Sequence, residues 1–421
     1  MKTFKPKILE SFHGYSKKQL ASDIVSGIIV AIIALPLSIA LAIASGVSPE
    51  KGLYTAIVAG FVISLLGGSR VNISGPTAAF AAIVAGIVAQ HGIEGLAIAT
   101  LMAGGMLILM GVLRLGSLIK YIPETITIGF TSGIAITIII GQIKDFLGLT
   151  FAPGTNAIEA TEKIEAIAKS ITTINPMALV VGVVALAILI IWPKISKRIP
   201  GSLVAVLVIT IVVALVGLGV NTIGDLYTIN ASLPPFSLPN FTMDKVVELI
   251  PSAFTIALLA AIESLLSCVV SDKMINDTHN SNTELIAQGT GNICSALFGG
   301  IPATGAIART AANVKNGGRS PISGIVHAVV LLLVLVVLMP YAAWIPMPVI
   351  AAVLFMVAYN MSEWRHFLNI CKKAPIYETL VLVLTFVLTV VFDLVVAIAI
   401  GLAVHYLIVI IKKAIAKKKK V

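Results

Sequence analysis

Charge is what this sequence has least of. Asp, Glu, Lys and Arg make up 11% of 421 residues, against 58% hydrophobic residues and a mean hydropathy of +1.04. That balance excludes a soluble globular domain and marks an all-α, polytopic membrane protein. Cysteine is nearly as scarce. Cys268, Cys294 and Cys371 are too few and too scattered for a disulfide framework. Six histidines without ligand spacing give no metal centre. No nucleophile–base pair stands at membrane depth, which argues against an enzyme. The first apolar stretch runs to Ala40-Leu41-Ala42. It is too long for a cleaved leader, contains Pro36 and leads straight into further spans.

The net charge of +10 does not point to nucleic acid, because the basic residues alternate between the ends of apolar runs. Of the 29 Lys and Arg, 23 fall on one side, including Lys2 to Lys18 and the tail from Lys412 to Lys420. Lys51, Lys144, Lys163, Lys169 and Lys245 fall on the other, and Arg309 lies within the membrane zone. This asymmetry predicts a multi-pass membrane protein with both termini cytoplasmic. The basic tail can also meet anionic headgroups.

Apolar runs predict helices at about 21–45, 52–67, 94–113, 118–141, 176–193, 201–220, 246–271, 283–298, 320–340, 346–359, 376–392 and 394–411. Two shorter segments, about 76–90 and 306–315, each follow a Gly/Pro/Thr stretch: Ser74-Gly75-Pro76-Thr77 and Pro302-Ala303-Thr304-Gly305. The total is about fourteen transmembrane segments. Residues 142–175 and 221–244 read as long polar loops, and 361–374 as a short interfacial helix with Trp364, Phe367 and Leu368 on its apolar face. Tyr121 and Trp344 read as belt aromatics, Glu124 as an interfacial helix start and Asp393 as a solvated turn.

The chain repeats itself weakly. Leu65-Leu66-Gly67-Gly68 precedes Gly75-Pro76-Thr77-Ala78-Ala79, and Leu297-Phe298-Gly299-Gly300 precedes Gly305-Ala306-Ile307-Ala308-Arg309. Two halves of seven segments each must insert with opposite orientation. Interrupted segments at matching places in such halves point to a transporter's binding site. Residues 69–75 and 301–305 are expected to be buried strands ahead of half-helices 3 and 10, since irregular backbone survives at that depth only inside protein.

Two half-helix amino ends aimed at one cavity bind an anion without any lysine. Gly75, Thr77, Ala78, Gly305, Ala306 and Ile307 are the expected amide donors, with Pro76 in the same turn and the Thr77 hydroxyl beside it. Small side chains there let a substrate approach the backbone. Arg309, one turn further, either adds positive charge to the site or pairs with Glu263.

Glu263 stands alone in an apolar segment, where a carboxylate costs about 2.5–3.5 kcal/mol on insertion scales. Ser267 lies four residues on, on the same helix face. With carbonyls from 304–307, Thr304 included, the pair can hold a sodium ion; alternatively Glu263 carries a proton. No other cofactor is expected.

At the level of motifs the sequence resembles the SulP family of anion transporters, relatives of the SLC26 carriers. The resemblance rests on Asp23-Ile24-Val25-Ser26-Gly27, Ala34-Leu35-Pro36, Gly46-Val47-Ser48-Pro49-Glu50-Lys51-Gly52-Leu53-Tyr54 and Gly67-Gly68-Ser69. It continues through Gly75-Pro76-Thr77-Ala78-Ala79-Phe80, Pro123-Glu124, Gly129-Phe130-Thr131-Ser132-Gly133, Glu263-Ser264, Ala308-Arg309-Thr310 and Phe392-Asp393-Leu394.

The family implies a 7+7 inverted repeat: 1–20 as a cytoplasmic N-terminus, 21–230 as the first repeat, 231–411 as the second and 412–421 as a basic tail. Segments 1–4 and 8–11 would form a core moving against a gate of segments 5–7 and 12–14, with the anion between the third and tenth. It also implies sulfate as the favoured substrate, with bicarbonate and dicarboxylates behind. The lipid bilayer and a homodimer are the remaining expected partners.

Two departures matter. The family commonly ends in a cytoplasmic STAS domain, for which this sequence has no counterpart. Its sodium-coupled bicarbonate branch resembles Asp, Thr four residues on, then Gly-Ala-Thr, where this chain has Glu263, Ser267 and Gly305-Ala306-Ile307. The missing hydroxyl at 307 tilts the expectation to proton coupling. The rivals are a sodium-coupled bicarbonate symporter, an uncoupled anion channel on the same scaffold and a nucleobase–cation symporter, the last opposed by Arg309.

Overall fold

The computed structural model describes residues 4–11, 14–117, 122–155, 157–196, 199–392 and 394–418. Tyr121 and Asp393 lie outside them, as do Lys2, Lys120, Lys197, Arg198 and the tail beyond Lys418. In chain order the helices are α1 (Lys7–Ser11), α2 (Lys17–Ala44), α3 (Pro49–Leu66), α4 (Ala78–Val112), α5 (Glu124–Leu147), α6 (Ala160–Ser170), α7 (Pro176–Ile195), α8 (Gly201–Val216) and α9 (Ile223–Leu226). They continue as α10 (Met243–Ile275), α11 (Ser281–Leu297), α12 (Ile307–Lys315), α13 (Ile322–Leu338), α14 (Met347–Met361), α15 (Trp364–Lys373), α16 (Ile376–Val391) and α17 (Leu394–Lys418). Two strands, β1 (Ser74–Gly75) and β2 (Thr304–Gly305), complete the set. Among the described residues eight helices are long and apolar enough to cross a membrane, and three shorter apolar helices join them.

The segments expected at 76–90 and 94–113 are present as two helices that meet at Gly92, whose φ of 68° only glycine adopts at little cost; the pair carries the single label α4. Two features differ from the expectation. The stretch 142–175 is not all loop: it holds the end of α5 and the amphipathic α6. The helix expected from 118 starts at Glu124, because Pro123 takes the extended N-cap conformation (φ −63°, ψ 142°).

Two sets of helices pack within themselves. In one, α4 lies on α10 and α11, α3 on α11 and α13, and α2 on α3, α12 and α13. In the other, α5 lies on α14 and α16, α7 on α8 and α14, and α17 on α16. Contacts of α2 with α14 and α8, and of α4 with α5, join the sets.

Helix directions define two faces. The Lys5 amide reaches Thr283 at the start of α11, and Gly116, just past α4, abuts Ser281. Gly317, after α12, abuts Ser22 near the start of α2. These ends share one face, whereas Gly92, Gly148 and α6 belong to the opposite one.

With lipid tails as apolar as leucine, helices in a bilayer associate through close backbone packing. The α4–α11 seam works this way. A Cβ on Gly104 would stand 2.6 Å from Ile293 Cγ1 and 2.7 Å from the Gly289 carbonyl. Gly105, next in sequence, has nothing within 4 Å of the same position. Gly104→Ala should therefore lower the melting temperature in detergent, through overpacking of about 1–3 kcal/mol, while Gly105→Ala leaves it unchanged or slightly raised. Equal melting of the two variants would contradict the seam.

Candidate functional site

The centre of the molecule is the β1–β2 pair. The strands run antiparallel, with Ser74 opposite Gly305 and Gly75 opposite Thr304. The Ala306 amide donates to the Ile73 carbonyl at 2.8 Å and extends the ladder by one bond. Because the strands are antiparallel, the helices that follow run away from each other. α4 leaves toward one face and α12 toward the other, so their amino ends meet at mid-depth.

Neither end is capped by a side chain. The N-cap of α12 is Ala306, which has none to offer. The N-cap of α4 is Thr77, whose hydroxyl instead donates to Glu263 Oε2 at 2.8 Å. Each helix therefore presents its first-turn amides and its positive dipole end. Thr77, Glu263 and Ala306 are half-buried, and Ile307 is 42% exposed, so the place is open rather than sealed.

Arg309 is buried and donates from Nη2 to the Pro76 carbonyl at 2.5 Å. Its Nη1 has no hydrogen-bond partner. Among the described residues no ion pair joins it to Glu263. The guanidinium ties the α12 helix to the turn before α4 and leaves a full positive charge directly behind the two helix ends.

Several expected site residues prove to have other work. Gly75 and Gly305 have a packing reason to lack side chains. A Cβ on Gly75 would meet Arg309 Nη1 at 2.5 Å, and one on Gly305 would meet the Asn72 side chain at 2.6 Å and Ser264 Cα at 3.0 Å. The Ala306 amide is spent on Ile73, so the free donors begin at Ile307 and include Ala308, which the sequence pattern does not single out.

Ser267 does not turn to Glu263. It donates to Asn72 Oδ1 at 2.7 Å and lies 3.1 Å from the Thr310 hydroxyl. The Thr304 hydroxyl donates to the Ala260 carbonyl. Both belong to the frame that holds the extended segments against α10. Thr77 and Ala78 stand at the start of α4, as expected.

The frame has a second buried carboxylate that the motifs do not reveal. Glu284 of α11 accepts from the amides of Gly68 and Ser69, from Asn72 Nδ2 and from Gln288 Nε2. Gln288 also reaches Ser74, and Asn313 donates to the Val71 carbonyl. The signal for it is the polar run Asn280–Gln288 in an otherwise apolar chain, but that run looks like a helix start beside a loop. His327 of α13 is a further buried polar group, beside Ser74 and Gly60, with neither ring nitrogen hydrogen-bonded.

This arrangement has counterparts in known proteins. The family model described as the sulfate permease family matches residues 20–385. The chain belongs to the sulfate permease family. A Bacillus subtilis protein named as the putative sulfate transporter YvdB is 44% identical over 94% of this chain and 74% of its own length. The bicarbonate transporter BicA of Picosynechococcus is 36% identical over 82% of this chain and 62% of that protein.

Among solved structures, the transmembrane domain of a cyanobacterial bicarbonate transporter BicA superposes with a TM-score of 0.82 at 31% identity, covering 91% of this chain and 98% of that one. SLC26A9 shares the fold, with a TM-score of 0.87 at 20% identity. Sulfate permease family members are membrane transporters rather than enzymes, and the chain is a multi-pass membrane protein of that fold.

Because Glu284 holds four neutral donors around the first extended segment, Glu284→Ala should destabilise the protein by at least about 1–3 kcal/mol, the cost of leaving a buried donor unpaired. Glu284→Gln, which keeps one acceptor oxygen, should lose less. Unfolding of the purified protein followed by tryptophan fluorescence measures both, and an unchanged transition in Glu284→Ala would refute the bracing role.

Proposed function

We propose that this protein is a secondary active transporter of small inorganic anions, with sulfate as the favoured substrate and protons as the coupling ion. The observation that carries the proposal is the pair of uncapped helix ends leaving one strand pair in opposite directions, with Glu263 held at one of them through Thr77. The relatives named as sulfate and bicarbonate transporters support the substrate class. Bicarbonate and dicarboxylates are the next candidates.

In this reading the chain crosses the membrane with fourteen segments in two inverted repeats of seven, α4 supplying two of them. The set α2–α4 with α10–α13 is the core and carries the anion. The set α5–α9 with α14–α17 is the gate past which it moves. The sparse contacts between the sets, set against the dense packing within each, support such sliding. The termini lie in the cytoplasm, consistent with the lysine distribution.

The coupling follows from charge. An anion at the helix ends and an ionised Glu263 repel one another. At an assumed separation of about 6 Å and an effective dielectric near 20, the penalty is about 3 kcal/mol, or roughly a hundredfold in affinity, for a monovalent anion, and about twice that energy for divalent sulfate. A proton on Glu263 removes it, so proton and anion bind together, and by linkage each raises the affinity for the other. Arg309, fixed behind the site, offsets the charge of the anion when Glu263 is neutral. The sodium reading gains less support, because Ser267 is engaged with Asn72 and Thr310.

Two outcomes test this. Anion affinity of the purified wild type, read by thermal shift, should rise as pH falls, whereas Glu263→Gln should bind with near wild-type low-pH affinity at every pH. In proteoliposomes the same variant should lose uptake driven by an imposed proton gradient. Undiminished gradient-driven uptake by Glu263→Gln would sink the coupling role.

A further inference from the structure

Where α8 of one helix set meets α2, α3 and α13 of the other, the surface is cut by a groove of about 340 Å³. One end of it is walled by the 3₁₀ turn Met339–Trp344 that follows α13. α13 starts beside the N-terminal segment, where Tyr15 and Ser320 meet at Asp23, so this turn lies at the opposite face. The base is formed by Ile39 and Leu53, 3% and 1% exposed. Leu207, Ile211 and Leu338, each about half exposed, line its open side.

No charged residue lines the groove, and its interior holds one polar group, the Thr210 hydroxyl. That hydroxyl has no partner. The Val206 carbonyl, four residues back on the same helix, comes within its reach on rotation about one side-chain bond, so it requires no ligand.

The surroundings decide what fills such a recess. Val208, Val212 and Leu215 of α8 and Leu333, Val336 and Val337 of α13 are exposed beside it. In a multi-pass membrane protein these faces meet lipid, and the groove is a recess in the same surface. Water is excluded, because a buried water needs two to four polar partners. A void is excluded, because its lining would forfeit dispersion contacts that adjacent hydrocarbon can supply.

The ends of the groove match a lipid in length and polarity. Its lining reaches Pro36, while α2 ends at Ala44, so it extends about 12 Å inward at 1.5 Å per residue. One leaflet of a hydrocarbon core about 30 Å thick is little deeper than that. At the outer end Tyr341 and Trp344 pack edge to face, with ring centroids 5.6 Å apart. Both rings are more than half exposed, and neither the hydroxyl nor the indole N–H has a hydrogen-bond partner among the described residues. Aromatic groups of this kind settle at headgroup level.

We propose that this groove binds one acyl chain of a phospholipid from the leaflet on that face, with the headgroup at Tyr341 and Trp344. The chain lies along α2 as far as Pro36 and crosses the seam between the two helix sets. Shape and apolarity select it, so the site holds a lipid in place where the neighbouring faces of α8 and α13 exchange theirs freely.

Two measurements test this without reference to transport. The first uses wild-type protein in vesicles of a phosphatidylcholine that carries a diazirine near the end of one chain. Photolysis should leave adducts on α2 between Leu35 and Ile39, as well as on the exposed face of α8. The second is native mass spectrometry of protein purified from phosphatidylcholine vesicles. Wild type should retain one phosphatidylcholine per chain. Thr210→Trp and Val334→Trp, which fill the groove, should lower that retention at least tenfold. Thr210→Val, which keeps the shape, and Leu215→Trp, outside the lining, should retain the lipid as wild type does. Adducts confined to α8, or wild-type retention in a folded groove-filling variant, overturn the site. A shift from dimer to monomer in Thr210→Trp without loss of lipid also overturns it, and assigns the groove to a second copy of the chain. Should both tryptophan variants fail to fold, the photolysis result alone decides.

Discussion

Two extended segments pair in the middle of a helical membrane protein, and the remainder of the structure is arranged to make that possible. Unpaired backbone groups at such depth cost several kcal/mol each, so non-helical chain must be satisfied from within the protein. Here the ladder of Ser74 and Gly75 with Thr304 and Gly305, extended by Ala306 to Ile73, satisfies the strands. Glu284, Asn72, Asn313 and Thr310 satisfy the chain leading into them. The buried polar residues of α11 and α12 are there for this reason. Without them the two half-helices would have no fixed starting points.

Once the starts are fixed, electrostatics follows from geometry. Antiparallel strands send α4 and α12 apart, so two positive dipole ends converge at one place. Arg309 adds a full charge while satisfying the Pro76 carbonyl, the acceptor in a turn whose proline has no N–H to give. Glu263 supplies a negative group held at the α4 end through Thr77. In the coupling proposed here, the balance of these charges changes by one unit when a single proton arrives, which is the simplest form available to a protein with so few charges.

The broken helices were legible in the sequence, because Gly and Pro at matching places in an apolar chain interrupt helices that lipid would otherwise keep continuous. Glu263, Thr77 and Arg309 could likewise be placed at one centre. The partners could not. Four-residue spacing puts Ser267 on the face of Glu263, but the rotation of α10 turns Ser267 to Asn72, and only tertiary packing decides that. Gly75 and Gly305 read as room for a ligand because sequence cannot tell an approach by substrate from an approach by Arg309 or α10. The break at Gly92 was legible, because a glycine after His91 interrupts the apolar run there.

The central claim is that the anion binds at the meeting point of the two helix ends. Crystals grown with selenate, measured at the selenium absorption edge, test this directly. The account predicts an anomalous peak within hydrogen-bonding distance of the first-turn amides of α4 and α12, beside the Thr77 hydroxyl. Ordered helix ends without a peak, while selenate binds elsewhere in the transmembrane region, would contradict it.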